Sequence, residues 1–153
     1  MKLSNHCHSR ESGNPALMLK FKIVTPEKTV YENEIIQVSI PTTSGEITVL
    51  QNHIPLVSVL ASAELKIKDK DGEHHIAVSG GFIEVRGNNE VIILADSAER
   101  AEEIDVEKAE EARKRAEEQM KNIKNVQDVD FAKLQALIDR EVNKMRVAKK
   151  YRR

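Results

Sequence analysis

The side chains able to do chemistry fall into three groups along this chain. Near the start, His6, Cys7 and His8 stand side by side. Imidazole and thiolate are ligands for a soft metal ion. Three adjacent donors on a stretch without periodicity do not close a site, however, which needs a fourth ligand and a fixed backbone. Further on, Asp96, Glu99, Glu102, Glu103, Asp105, Glu107, Glu110 and Glu111 crowd one segment against only Arg100 and Lys108. Paired carboxylates serve acid–base chemistry when their surroundings push their pKa values apart. These lie on a charged helix face and read as solvated surface. The tail holds Lys144, Arg146, Lys149, Lys150, Arg152 and Arg153. Bases at a helix C-terminus complement its dipole by only about 0.3–1 kcal/mol each. Six of them exceed that need and fit a negatively charged partner surface. There is no Gly-rich phosphate loop, nucleophile elbow or zinc-ligand spacing. An independent enzyme, a metal centre and a resident cofactor are therefore not expected.

The bulk numbers narrow the classes further. The 153 residues carry 24 basic and 25 acidic side chains, a net charge of −1, which gives no drive toward nucleic acid. The aromatics Phe21, Tyr31, Phe82, Phe131 and Tyr151 are too few for a base-stacking platform. No apolar run approaches the roughly 20 residues of a membrane span, so membrane association is expected only through a partner. The single Cys7 forms no internal disulfide.

Residues 1–17 show no strand or helix period and no apolar signal-peptide core. They read as a disordered extension, with Met18 as the expected start. From Leu19 the period becomes two. Leu19, Phe21 and Ile23 alternate with lysines, Ile36, Val38 and Ile40 with Gln37 and Ser39, and Leu65 and Ile67 with Lys66 and Lys68. Such alternation marks sheets with one buried face. The continuous apolar run Val91–Leu94 predicts a central strand. Asp71-Gly72, Gly87-Asn88-Asn89 and Thr43-Ser44-Gly45 supply turn chemistry between the runs. The expectation is an N-terminal antiparallel β-sandwich of about ten strands over 18–103.

After Asp96 alanine, Glu, Lys and Arg dominate. Ala109, Ala112, Ala116, Met120 and Ile123 form one narrow stripe on a helix of roughly five turns, with Asp105 as its cap. Residues 121–127 interrupt it. Asp128 or Asp130 then caps a second helix, whose stripe is Phe131, Leu134, Leu137, Ile138, Val142 and Met145. The pair predicts an antiparallel two-helix hairpin over 104–153. Its alanine stripe buries little area at ~25 cal/mol per Å², so the hairpin either lies statically on the sheet or opens at modest cost.

Several motifs, in order, resemble one family. Val78-Ser79-Gly80-Gly81-Phe82-Ile83-Glu84-Val85 followed by Val91-Ile92-Ile93-Leu94-Ala95-Asp96 is similar to the core of ATP synthase epsilon subunits. Phe21 to Pro26, Gly45 to Leu50 and His53 to Leu56 match upstream; Ala98-Glu99, Ile104-Asp105, Ala109-Glu110 and Arg115-Ala116-Glu117 match downstream. The resemblance covers about Met18 to Glu118; the second helix matches in kind more than in letters. It implies a ten-stranded β-sandwich followed by two helices. It also implies a non-catalytic rotor subunit at the foot of the central stalk, peripheral to the cytoplasmic side of a bacterial inner membrane. The implied partners are the gamma subunit, the c ring and, when the hairpin extends, the acidic surface of the catalytic head.

Site residues follow from the same resemblance. Gly45, Glu46 and His53 match the loop that faces the c ring. The tail bases match the inhibitory end of the hairpin. Glu99, Ile104, Asp105, Lys108 and Arg115 align with ATP contacts of some bacterial members. Lys108 stands where their motif has arginine, and lysine lacks the planar fork of donors. Thr48 replaces a family glycine, and Gln51-Asn52 replaces Pro-Gly. The competing expectation is a free-standing regulatory module, either ATP-sensing or an adaptor.

Overall fold

The computed structural model describes residues 18–123 and 129–151. The segment 1–17 with His6, Cys7 and His8, the cap candidate Asp128, and the tail residues Arg152 and Arg153 lie outside them. The strands are β1 (Leu19–Val24), β2 (Thr29–Ile35), β3 (Gln37–Thr42), β4 (Gly45–Val49), β5 (Leu56–Val59), β6 (Ala63–Lys68), β7 (Glu73–Ser79), β8 (Phe82–Arg86), β9 (Glu90–Leu94) and β10 (Ser97–Arg100). Two helices follow, α1 (Val106–Lys121) and α2 (Val129–Tyr151).

The strands form two five-stranded sheets, ordered β2-β1-β9-β8-β5 and β10-β7-β6-β3-β4. Alternate residues turn inward from both. Leu19, Phe21, Ile23, Val38, Ile40, Leu65, Ile67, Ile76, Val78, Ile83, Val91 and Ile93 share one buried core. Each such side chain is worth about 1.5–3 kcal/mol when fully buried. The sandwich and hairpin match the expected architecture, and β9 is the middle strand of its sheet.

Three details depart from the expectation. The pairing is antiparallel except between β1 and β9, which run parallel. No tight turn joins these two strands, so none dictates their direction. The apolar run on β9 is buried on one face only: Val91 and Ile93 point inward, whereas Leu94 is 55% exposed. Ile36 does not belong to an alternating strand with Val38 and Ile40. The buried residues are Ile35 and Val38, and Ile36 sits between them at the surface, where the chain leaves one sheet for the other. The crossing resets the phase of the alternation.

The β7–β8 connection needs its two glycines. Gly80 and Gly81 both have positive φ, 64° and 106°. A Cβ on Gly80 would collide with the Asp96 side chain, and one on Gly81 with the Leu94 carbonyl. Glycine is the residue that pays neither penalty.

Asp105 caps α1 as its position predicts, accepting from the amides of Glu107 and Lys108 at 3.2 Å. Asp130 lies within the first turn of α2 and acts there as a dipole-complementing acid. The helices pack on each other, and α2 is the one that contacts β7 and β6. The buried residues of α2 are Glu141, Asn143, Val147 and Ala148. They are not the predicted stripe, in which Phe131, Leu134, Leu137, Ile138 and Met145 are only half-buried and Val142 is exposed.

Candidate functional site

Among the described residues, four of the eight exposed large apolar side chains, Val57, Val59, Phe82 and Leu94, stand on the outer face of the first sheet. Because strand side chains alternate, burying Ile83 and Ile93 turns Phe82 and Leu94 outward. The register aligns Val59, Phe82, Leu94 and Val24 in one row across four strands, with Val57, Glu84, Ile92 and Lys22 in the next. Phe82 is 57% exposed and Val57 70%. A groove of about 300 Å³ lined by Val24, Pro26, Gly81 and Leu94 flanks Phe82 on one side. One of about 200 Å³ lined by Val57, Glu84, Ile92 and Leu94 flanks it on the other. Arg86, clamped by Glu84 at 3.0 Å and Glu90 at 2.9 Å, supplies a charged rim. An apolar centre with a polar rim is the anatomy of a protein-binding surface. Sequence reasoning did not single out this face. The available signal was the presence of apolar residues at both phases of β9.

Gly45, Glu46 and His53 do not share one loop. Gly45 and Glu46 open β4 beside the β3–β4 turn, where Thr43 N donates to Val59 O at 3.1 Å. His53 lies beyond the opposite end of β4, a strand about 13 Å long at ~3.3 Å per residue. There His53 Nδ1 is 2.7 Å from the carbonyl oxygen of Ile54, which braces the connection. Asn52, standing where the family has glycine, adopts φ 60°. Its amide donates to Asn89 Oδ1 at 2.7 Å. Asparagine tolerates this left-handed backbone better than other non-glycine residues, so the loop keeps a glycine-like path.

The five aligned ATP contacts are engaged elsewhere. Ile104 is buried with Ala77, Ala101, Val147 and Ala148. Asp105 is the cap of α1, and the amide of Lys108 leads the interactions holding its carboxyl below the usual carboxylate range. Lys108 Nζ reaches back to Asp105 at 3.4 Å. Arg115 pairs with Glu111 at 3.2 Å on its own helix. Glu99 pairs with Lys144 at 2.8 Å. A cleft of about 500 Å³ between sandwich and α2 is lined by Ser62, Ser79, Asp96, Lys133 and Arg140, among others, and by none of the five.

Two of the tail bases face the sandwich. Lys144 meets Glu99, and Lys150 meets Glu64 at 2.9 Å. Arg146 and Lys149 are exposed. A second polar centre was not foreseen. Asp69, buried in phase with Leu65 and Ile67, accepts from Tyr31 Oη at 2.9 Å, from Asp71 N at 2.8 Å and from Gly72 N at 3.0 Å. It also lies 2.8 Å from His74 Nε2. Burial pushes its carboxyl up, but these partners together hold it below the usual range. The Tyr31 phenol is pushed up to about 12 by burial and by Asp69. This node clamps the β6–β7 turn against β2. Its sequence signal was an acid continuing an apolar alternation.

Comparison with known proteins agrees with this architecture. Residues 18–101 match the family model for the β-sandwich domain of the ATP synthase delta/epsilon chain. Residues 102–149 match that for its long α-helix domain. An ATP synthase epsilon chain of Nitratidesulfovibrio vulgaris (strain DP4) is 45% identical over 129 residues, covering 84% of this chain and 94% of the relative. One of Dehalococcoides mccartyi (strain BAV1) is 44% identical over 135 residues, covering 88% and 95%. A chain in the solved Euglena gracilis mitochondrial ATP synthase, in its OSCP/F1/c-ring assembly, superposes with a TM-score of 0.65 at 26% identity, over 94% of this chain and 88% of that one. Sandwich, hairpin and these matches thus define a stalk-type subunit, one that serves an enzyme complex without being the enzyme. The chain belongs to the ATP synthase delta/epsilon chain family. Among the described residues, no helix is long and apolar enough to cross a membrane.

Proposed function

We propose that this chain is the epsilon-type rotor subunit of a bacterial proton-translocating ATP synthase, bound at the cytoplasmic side of the inner membrane through the complex. The sandwich seats against the gamma subunit and the c ring and helps couple proton flow to ATP synthesis. The hairpin regulates ATP hydrolysis by carrying its bases to the acidic surface of the catalytic head. The observation that carries the seating is the Phe82 row, an apolar centre with a charged rim on the sheet face that the hairpin leaves open. Gly45 with Glu46, and His53, offer separate contacts at the two ends of β4. ATP binding at Glu99, Ile104, Asp105, Lys108 and Arg115 would require nucleotide to displace the Lys144–Glu99, Lys108–Asp105 and Arg115–Glu111 pairs.

The test is ATP hydrolysis by a catalytic head stripped of its own epsilon chain. The full chain and a chain ending at Glu103 are added back in turn. Both should bind, and only the full chain should inhibit. If both bind and neither inhibits, the hairpin is not a brake. Failure of both to bind a head from a closely related bacterium would overturn the rotor reading in favour of a free-standing module.

A further inference from the structure

Polar contacts fasten the last turns of α2 to the second sheet. Asn143 Nδ2 donates to the carbonyl oxygens of Ala63 at 3.2 Å and Val78 at 3.0 Å, residues paired across β6 and β7. Lys144 Nζ lies 2.8 Å from Glu99 on β10 and 3.8 Å from the buried Glu141 on its own helix. Lys150 Nζ lies 2.9 Å from one carboxylate oxygen of Glu64 on β6. His75 Nδ1 is 2.8 Å from the other. The Tyr151 ring stacks on His75 with centroids 3.6 Å apart. Burial raises the Glu64 carboxyl, but hydrogen bonds from Tyr151, Lys150 and His75 hold it below its ordinary range, so it stays an anion at neutral pH.

The apolar contribution beneath these contacts is thin. Val147 and Ala148 meet Ala77, Ala101 and Ile104, with Val106 and Tyr151 partly buried against them, and the partners on the sandwich itself, Ala77 and Ala101, are both alanines. A surface so small and polar loses little when it is exposed to water. Charge therefore has a disproportionate say in whether α2 stays down.

We propose that Glu64 and Glu99 form an internal acidic dock, which holds Lys144 and Lys150 on the sandwich and competes for them with any acidic partner of the tail. An ammonium drawn out to a partner surface leaves its sandwich carboxylate behind, so docking of Lys144 and Lys150 competes with their engagement of a partner. The exposed Arg146 and Lys149 are placed to meet a partner first, while Lys144 and Lys150 are released second. The competition rests on the tail-to-head reading above; the internal dock does not.

The experiment uses the full chain with Cys7→Ser and spin labels at Lys70→Cys in the β6–β7 turn and Lys149→Cys on α2. Pulsed electron paramagnetic resonance reads the docked-to-undocked ratio. E64Q/E99Q should lower that ratio about five- to ten-fold, as loss of two partly exposed ion pairs allows. One-molar salt should move the unsubstituted dock the same way. Reversing all four charges, E64K/E99K with K144E/K150E, should restore docking. A ratio that neither E64Q/E99Q nor salt changes would overturn the proposal and leave Asn143 and the small apolar contact as the fastening. Circular-dichroism melts check that each variant folds, and the salt arm needs no change at the dock itself. Added to a stripped catalytic head, unlabelled E64Q/E99Q should inhibit more strongly than the unsubstituted chain. If the distances shift as expected and inhibition does not, the internal dock stands and the tail-to-head reading falls.

Discussion

Phe82→Ala should weaken binding to the stalk partner about thirty-fold without unfolding the chain. A phenylalanine offers about 200 Å² of surface, and Phe82 leaves 57% of its own exposed, so an interface can still remove about 115 Å² from water. At ~25 cal/mol per Å² this amounts to about 3 kcal/mol. Alanine retains part of it, leaving a loss of about 2 kcal/mol, or about thirty-fold in Kd. The flanking grooves make Phe82 an anchor of the kind that dominates interface energetics. Calorimetric titration of the chain into an epsilon-depleted catalytic head measures the change, with Lys70→Ala on the opposite sheet as control. Thermal melting should be nearly unchanged, because the ring already faces solvent. If Phe82→Ala binds within two-fold of the parent while folding normally, this face is not the seat and the argument from the apolar row fails.

Asp69→Asn should cost about 2–3 kcal/mol in urea unfolding, because the charge is lost and the oxygen facing Tyr31 Oη and His74 Nε2 is replaced by an amide donor, while the Asp71 and Gly72 amides keep an acceptor. The Asp69 carboxyl is held low in the folded state. Its contribution is therefore complete above the unfolded value of about 4 and is lost as pH falls through the lower folded value. Asp69→Asn should flatten that acid limb of the stability curve. Gly81→Ala should destabilise by about 3 kcal/mol or more in the same assay, since its Cβ meets the Leu94 backbone at a positive φ. Asn52→Gly should be neutral within about 0.5 kcal/mol, whereas Asn52→Ala should cost about 1 kcal/mol, because φ is 60° there.

The sequence by itself determined the layered β-sandwich, the change to helix after the last strand, and the cap at Asp105. These follow from local rules: alternation for a half-buried strand, small and charged residues for a paired helix, and a carboxylate before a first turn. The order of short motifs around Gly80, Gly81 and Asp96 carried the family. Where chain-local rules meet a change of layer they fail, as at Ile36, whose neighbours belong to different sheets. Periodicity showed that Asp69 shares a phase with Leu65 and Ile67 but could not show that Tyr31 and His74 converge on it.

Only the tertiary structure decided which outer face stays open and which helix rests on the sheet. Val91–Leu94 reads as apolar throughout, yet only the seating of α2 on β7 and β6 leaves Leu94 and Phe82 uncovered on the other sheet. The partners that hold the tail are distant in the chain: Lys150 and Glu64 stand 86 residues apart, Asn143 and Ala63 80. No spacing rule links such positions. Their meeting depends on strand order, on helix placement and on the few ångströms over which an ion pair or amide hydrogen bond is felt.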